Sequence, residues 1–359
     1  MKAFSKGKAL LLLAGTILLS GLIVGGCAKP TPTATPETPT PELIKWRWQC
    51  AMPAADPTYH WLTVGAADLI NKACKGRLEI TTYQAGELCA PDDVLDSTKR
   101  GVFEMATTCP AYWMGVIPEC AVAFCPYFQP NSLEACREVF WEPKWRLMDV
   151  FREAYKAQDV HLIDWTFEDH WTLITTKPVH TVDDFRGMKV RTFGLAADFF
   201  EKLGASPTSL PYGEIYMAMK LGTVDAATVS MVDMEGMKFM EVCDYVITPY
   251  LVENPVVDIF CNMDAWNALP DDLKATVEEL ILGRSRDSTA EFLRIADEGI
   301  EAAKAYGVEW IEVPEDQQAI MYKATAEVLD DFAEESPTSA KIVKIMTDYK
   351  EEKGLVPGE

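Results

Sequence analysis

From Pro270 to Tyr306 the chain keeps a helical hydrophobic spacing with no internal proline to stop it. A helix of about 36 residues is about 54 Å long, well beyond the diameter of one small lobe. A fold that contains it must let the helix bridge two bodies or protrude from one. Leu273, Val277, Leu280, Ile281, Phe292, Ile295 and Ile300 recur at three- and four-residue intervals, while Arg284 to Ser288 is more polar. An apolar stripe that fades in the middle fits a helix with its ends in two separate cores. The competing reading is a break near Gly283.

The rest of the body alternates short β-rich runs with helical patterns, as a sheet with crossover helices does. Strands are expected at Ile44–Cys50, Leu78–Tyr83, Phe103–Thr108, Val160–Trp165 and Trp171–Thr175, with helices at Tyr59–Cys74 and Pro91–Arg100. A smaller unit repeats the alternation: strand Lys189–Arg191, helix Leu195–Leu203, strand Ser206–Leu210, helix Tyr212–Leu221.

The first residues read as targeting rather than fold. Lys2, Lys6 and Lys8 precede an apolar run from Ala9 to Val24, then Gly25 and Gly26 lead to Cys27. The run suits a signal peptide better than a membrane span. Val24-Gly25-Gly26-Cys27 resembles a bacterial lipobox, with valine where leucine is usual, which implies acylation of Cys27. An uncleaved signal anchor is the bland alternative. Ala28 to Glu42 is almost entirely Pro, Thr and Glu with nothing to bury, and reads as a spacer. The body beyond it, about 317 residues, is too large for one simple core and suits two lobes.

A net charge of −22 argues against nucleic acid and against an anionic membrane surface as partners of the body. An acidic protein that captures an anion must concentrate positive charge locally, so an arginine in an apolar setting stands out. Of ten cysteines, nine lie beyond Cys27, an odd number without any C-x-x-C. They read as small core hydrophobes rather than zinc ligands. The four histidines are not spaced as metal ligands, so no metal and no cofactor is expected.

Arg191 ends a short strand and is followed by Thr192-Phe193-Gly194 and a helix start at Leu195. Ligands of open α/β sheets bind beyond the carboxyl ends of strands, and helix N-termini favour anions. A guanidinium also matches a carboxylate bidentately. Taken alone, Arg191 fits a surface salt bridge with one of many acidic neighbours better than a clamp.

Four pieces around it carry a resemblance: Arg186-Gly187-Met188-Lys189-Val190-Arg191, Leu203-Gly204-Ala205-Ser206-Pro207, Gly213-Glu214-Ile215-Tyr216-Met217-Ala218 and Gly222-Thr223-Val224-Asp225-Ala226. Together they resemble the DctP-type solute receptors of TRAP transporters, which are tripartite, ATP-independent and driven by an ion gradient. Tyr83-Gln84-Ala85-Gly86-Glu87-Leu88 and the long helix extend the similarity more weakly over the body. The resemblance implies an α/β, two-lobed, periplasmic-binding-protein-like fold of type II kind with a spanning helix. It also implies a small organic anion, here a monocarboxylate such as a 2-oxo or 2-hydroxy acid, clamped by Arg191 and passed to membrane permease subunits. On this reading residues 1–26 are the signal peptide and 27–43 the tether. Residues 44–168 form lobe I, 169–254 lobe II, 255–294 lobe I again with the spanning helix, and 295–359 the return to lobe II with the C-terminal helices.

Gly194-Leu195-Ala196-Ala197 and Val224-Asp225-Ala226-Ala227 resemble the 2-oxo-acid branch of that family. The branch has an acid and a tryptophan after its Asp-Ala-Ala run, where this chain has Thr228 and Val229, so the acid that helps hold a cation is missing. The sialic-acid branch would have asparagine at Val229. Tyr112, Trp113, His170 and Trp171 are further candidate pocket residues, because aromatic side chains make rigid apolar walls; ordinary core packing is the alternative for each. Glu214 reads as a helix cap or brace. No catalytic residue is expected: Gly-x-Ser-x-Gly, His-Glu-x-x-His and phosphate-cradling glycine loops are all missing. The alternatives to an exported receptor are a lipid-anchored extracellular hydrolase and a ligand-sensing module without a transport role.

Overall fold

A computed structural model describes residues 42–355. The signal peptide, Cys27 and the tether up to residue 41 lie outside them. Among the described residues eleven strands form two sheets. The first holds β1 (Ile44–Cys50), β2 (Leu78–Tyr83), β3 (Met105–Thr108) and β4 (Val160–Phe167). The second holds β5 (Trp171–Thr175), β6 (Lys189–Arg191), β7 (Ser206–Thr208), β8 (Ala226–Ser230), β9 (Tyr245–Thr248) and β11 (Glu309–Glu312), while β10 (Val256–Asn262) returns to the first. Their orders are β2-β1-β3-β10-β4 and β11-β9-β5-β8-β6-β7. β1 pairs in parallel with β2 and β3, and β10 is antiparallel to both neighbours. In the second sheet β5 is the antiparallel member, against β8 and β9.

β5, β8 and β10 are buried at every position, as strands covered on both faces must be. A carboxylate inside such a strand needs donors. Asp258 in β10 accepts from Thr108 N (3.1 Å) and Oγ1 (2.9 Å), Trp113 Nε1 (3.1 Å) and the Tyr155 hydroxyl (2.5 Å). Among the described residues nine cysteines are free, eight of them buried, and burial pushes the Cys50 thiol up to about 12.

The long helix runs unbroken from Asp271 to Tyr306, through Gly283. Its first half packs on β4 and on the helix Gly65–Ala73, and its second half on the short helix Asp233–Gly236 of the other lobe. It therefore bridges the two sheets. At Gly299 a Cβ would come within 3.0 Å of the Met231 carbonyl, so the helix approaches the second lobe too closely for a larger residue. The polar stretch in the middle is not a solvent gap. Ser285, Ser288 and Thr289 are buried, and their hydroxyls meet the end of β4 and the helical turn at Trp61. Ser285 Oγ lies 2.8 Å from Thr166 Oγ1, Thr289 Oγ1 donates to the Phe167 carbonyl (2.8 Å), and Ser288 Oγ donates to the Trp61 carbonyl (3.2 Å).

The C-terminal helix Pro337–Lys353 corrects the expected boundary. It packs against Leu133–Trp141 and Leu147–Lys156 of the first lobe as well as against its predecessor, helix Glu315–Glu335, so residues 295–359 contact both lobes rather than the second alone. Lys350 Nζ donates to the Tyr127 carbonyl (2.7 Å) and Lys353 pairs with Glu138 (2.7 Å). Helix Glu315–Glu335 does stay with the second lobe, packed on Leu195–Lys202.

Thr289→Val keeps the volume and deletes one hydroxyl, leaving the Phe167 carbonyl buried without its donor. The expected cost is about 1–3 kcal/mol, read as a lower urea midpoint with an unchanged m-value. An unchanged midpoint would show that the hydroxyl is not part of the crossing.

Candidate functional site

β6 is three residues long and ends at Arg191, between β7 and β8. Beyond it Gly194 has φ +58°, and a Cβ there would lie 3.1 Å from the Ala121 carbonyl of the first lobe. The turn into helix Leu195–Lys202 thus needs glycine twice, for its backbone angle and for the contact between lobes. β7 stops at Thr208, short of the expected Leu210, and this frees the Leu210 carbonyl to face Arg191.

Arg191 is fully buried. Nε and Nη2 each donate to the Leu210 carbonyl at 3.1 Å, and Nη1 to the Thr228 carbonyl at 3.3 Å. Phe193 and Tyr212 flank it, with ring centroids 4.7 and 5.4 Å from the guanidinium carbon. Every hydrogen-bond partner is a main-chain carbonyl, so the chain brings no carboxylate to neutralise this charge. Three of five N–H groups are used in these bonds. The surface salt-bridge reading is excluded by the burial.

Next to Arg191, a narrow, nearly filled cavity of about 10 Å³ lies between the lobes. Met52, Asp56, Cys109, Tyr112 and Phe124 line it from the first lobe, Trp171, Phe193, Tyr212 and Asp233 from the second, and Glu168 from the crossing between β4 and β5. The aromatic rings interlock across the gap: Tyr112 to Phe193 at 5.9 Å, Phe124 to Phe193 at 5.0 Å, Phe124 to Trp171 at 4.6 Å. Arg191 is one layer behind Phe193 and Tyr212 rather than in the wall. Burial pushes the Tyr112 phenol up, and the nearby Arg191 charge acts against that rise.

The structure gathers four of the expected residues here: Arg191, Tyr112, Trp171 and Thr228. Thr228 lines an adjoining small cavity shared with Phe124 and Trp171, and its hydroxyl donates to Thr192 Oγ1 at 3.1 Å. Three others lie apart. Val229 is buried on the opposite face of β8, because successive strand residues point to opposite sides. Trp113 sits in the first-lobe core, bound to Asp258. His170 stacks on Tyr250 at 4.7 Å, and its Nδ1 meets Glu253 at 2.9 Å, outside both cavities. Burial opposes its charge, but the Glu253 carboxylate outweighs that and raises its pKa. Glu214 is exposed and caps nothing.

Four acids at the site were not anticipated: Asp56, Glu168, Asp169 and Asp233, all buried. Asp56 accepts from Thr58 N (2.8 Å) and Glu168 from Thr58 Oγ1 (2.9 Å). Asp169 is held by the Ser230 hydroxyl and by Val232 N (2.9 Å), and the Tyr212 hydroxyl donates to Asp233 (2.7 Å). Burial first, then mutual repulsion, pushes Glu168 well above the carboxylate range, and the same two causes act on Asp233. Burial lifts Asp56 from 3.8 to about 6. Their sequence signal was the apolar flanks, as in Met231-Val232-Asp233-Met234.

A larger depression, about 560 Å³, is lined by Glu134 to Trp145, β4, Leu282 to Thr289 and Glu352. All of these belong to the first lobe or the spanning helix, so closure of the two lobes would not act on it. The interlobe cavity is the better site.

Residues 51–336 match the model of the bacterial extracellular solute-binding proteins, family 7, known as DctP. The chain belongs to this family. It is 28% identical over 273 residues to the ectoine/5-hydroxyectoine-binding periplasmic protein UehA of Ruegeria pomeroyi, covering 75% of this chain and 80% of that one. It is 25% identical over 315 residues to a monocarboxylate 2-oxoacid-binding periplasmic protein of Nostoc sp., covering 86% and 83%. A crystal structure of a TRAP periplasmic solute-binding protein from Colwellia psychrerythraea, with bound calcium and pyruvate, has the same fold (TM-score 0.81, 22% identity, 87% of this chain and 95% of that one).

In this solute-binding protein the raised Asp56 has a readable consequence. Between about pH 4 and about pH 6 the folded chain holds a proton there that the unfolded chain has released, so this group makes folding weaker as pH rises through the window. Asp56→Asn removes the ionisation. Its melting temperature relative to wild type should be higher at pH 7 than at pH 4. A difference that is the same at both pH values would contradict the burial of an ionisable Asp56.

Proposed function

We propose that this family member is the extracytoplasmic receptor of a TRAP-type secondary transporter, closing its two lobes on a small organic acid and delivering it to the permease subunits. One observation carries the reading. Arg191 is a guanidinium without solvent and without a carboxylate of its own, placed behind the aromatic wall of the interlobe cavity. A buried charge of that kind is costly unless a counter-charge arrives. A ligand carboxylate reaching it past Phe193 and Tyr212 would supply one, and the planar fork would fix its orientation. The relatives named for 2-oxoacid and ectoine binding support a small polar ligand. Catalysis is less well supported, because the cavity wall offers no histidine, and burial pushes its one thiol, Cys109, well up.

The amino-terminal sequence supports an anchored receptor: signal peptide, acylated Cys27, then a stiff spacer. One acyl chain holds a protein to a bilayer only marginally, and several on one cysteine hold it firmly. Cys27→Ser in a bacterial host should move the protein from the membrane to the soluble fraction. Unchanged fractionation would rule the anchor out.

The clamp is tested with the acid recovered from purified, denatured protein. Arg191→Lys keeps the charge but not the fork, and truncation of such a buried pair costs about 2–5 kcal/mol, or tens- to thousands-fold in affinity. Because Arg191 also ties Leu210 to Thr228, melting should fall as well, so calorimetry is read well below the variant's melting temperature. Wild-type affinity in Arg191→Lys would overturn the clamp.

A further inference from the structure

The acids of the cavity are left over once the carboxylate clamp is assigned. Asp233 is 2% exposed and lines the cavity. Its Oδ2 is taken by the Tyr212 hydroxyl, while its Oδ1 has no partner. Glu168 and Asp56 line the same space and meet at Thr58. An unpaired buried acceptor costs about 1–3 kcal/mol, more when charged, and three carboxylates facing one small space repel one another. A folded protein keeps such a group where something else completes it.

We propose that this end of the cavity is a cation subsite, in which Asp233 with Glu168 and Asp56 receives a protonated nitrogen, so that the ligand is a small zwitterion rather than a simple acid. The proposal rests on the acid-receptor reading for the carboxylate half of the ligand. The two poles are joined by one side chain. The Tyr212 ring stacks near the Arg191 guanidinium, and its hydroxyl holds Asp233. A ligand lying along Tyr212 would meet positive charge at one end and negative charge at the other. The walls between include the aromatic rings of Trp171 and Phe193, and aromatic faces favour a cation over neutral polar groups. The free Oδ1 needs a hydrogen-bond donor, which an ammonium or amidinium has and a quaternary ammonium does not. Asp56 comes from the first lobe, Asp233 from the second and Glu168 from the crossing. A cation among them would draw together surfaces that otherwise repel, so the nitrogen would contribute to closure as well as to selectivity.

The test is calorimetry on the full chain with matched probes: short amino acids, the 2-oxo and 2-hydroxy acids of the same skeletons, ectoine, and glycine betaine. The expected tightest probe is a zwitterion with N–H groups, at least about tenfold tighter than the simple acids and than betaine. Asp233→Asn keeps an acceptor for Tyr212 and removes the charge. It should weaken that zwitterion about tenfold or more without weakening the simple acids, and Glu168→Gln should act in the same direction. A simple acid that binds as tightly as any zwitterion overturns the proposal, as does a lack of binding by every zwitterion. Equal losses for both classes in Asp233→Asn overturn it too, since they indicate a structural role. An acid that binds only with added calcium does the same, because the metal would then be the cation. Any of these with Arg191 still required leaves the acid receptor standing; affinity independent of Arg191 removes that reading instead.

Discussion

Taking a guanidinium wholly out of water is among the more expensive things a fold can do, and Arg191 shows how the cost is met in part. Its N–H groups go to the carbonyls of Leu210 and Thr228, and its faces to Phe193 and Tyr212. These partners come from the middle of β8 and from the segments after β6 and β7, so three stretches of chain are tied to one side chain. What the carbonyls do not supply is negative charge. Partial dipoles satisfy hydrogen bonds but leave a net charge in a low dielectric, and this keeps the site receptive to an anion.

The frame around that residue explains how such a site can be both closed and reachable. The chain passes between the lobes at the turn from β4 to β5, at the return from β9 to β10, along the spanning helix, and back through the C-terminal helix. At the middle of the spanning helix the contacts are hydroxyl bonds made by small side chains, Ser285 to the Thr166 hydroxyl and Ser288 and Thr289 to main-chain carbonyls. Such contacts let the helix lie close to the end of β4 without interlocking large side chains. Hinges absorb their motion in few residues at element ends, and these crossings have that character. The interlocked rings of Tyr112, Phe124, Trp171 and Phe193 describe the lobes brought together.

Much of this was legible in the sequence, for physical reasons. Strand ends, glycine turns and helical periodicity are local, so the alternation from Lys189 to Leu221, the place of Arg191 and the unbroken long helix could be read directly. Thr228 and Val229 could be named from the resemblance, but not assigned to a face, because that depends on which side the other lobe covers. The aromatic candidates divided the same way: Trp171 faces the cavity, whereas Trp113 answers to Asp258 across the first sheet, a pairing 145 residues apart in sequence. His170 was diverted by Glu253, another distant partner. The four buried acids were hidden by composition. In a chain of net charge −22 any single acid is expected at the surface, and apolar flanks such as those of Asp233 are a weak signal against that background. The docking of the C-terminal helix on the first lobe was illegible for the same reason, since its polar, lysine-rich surface carries no address.

Native mass spectrometry of the purified full chain addresses the central claim most directly, because it weighs the bound molecule while the lobes still hold it. The account predicts one small molecule per chain, released on denaturation and carrying a carboxylate. A bound molecule with no acid group would contradict it.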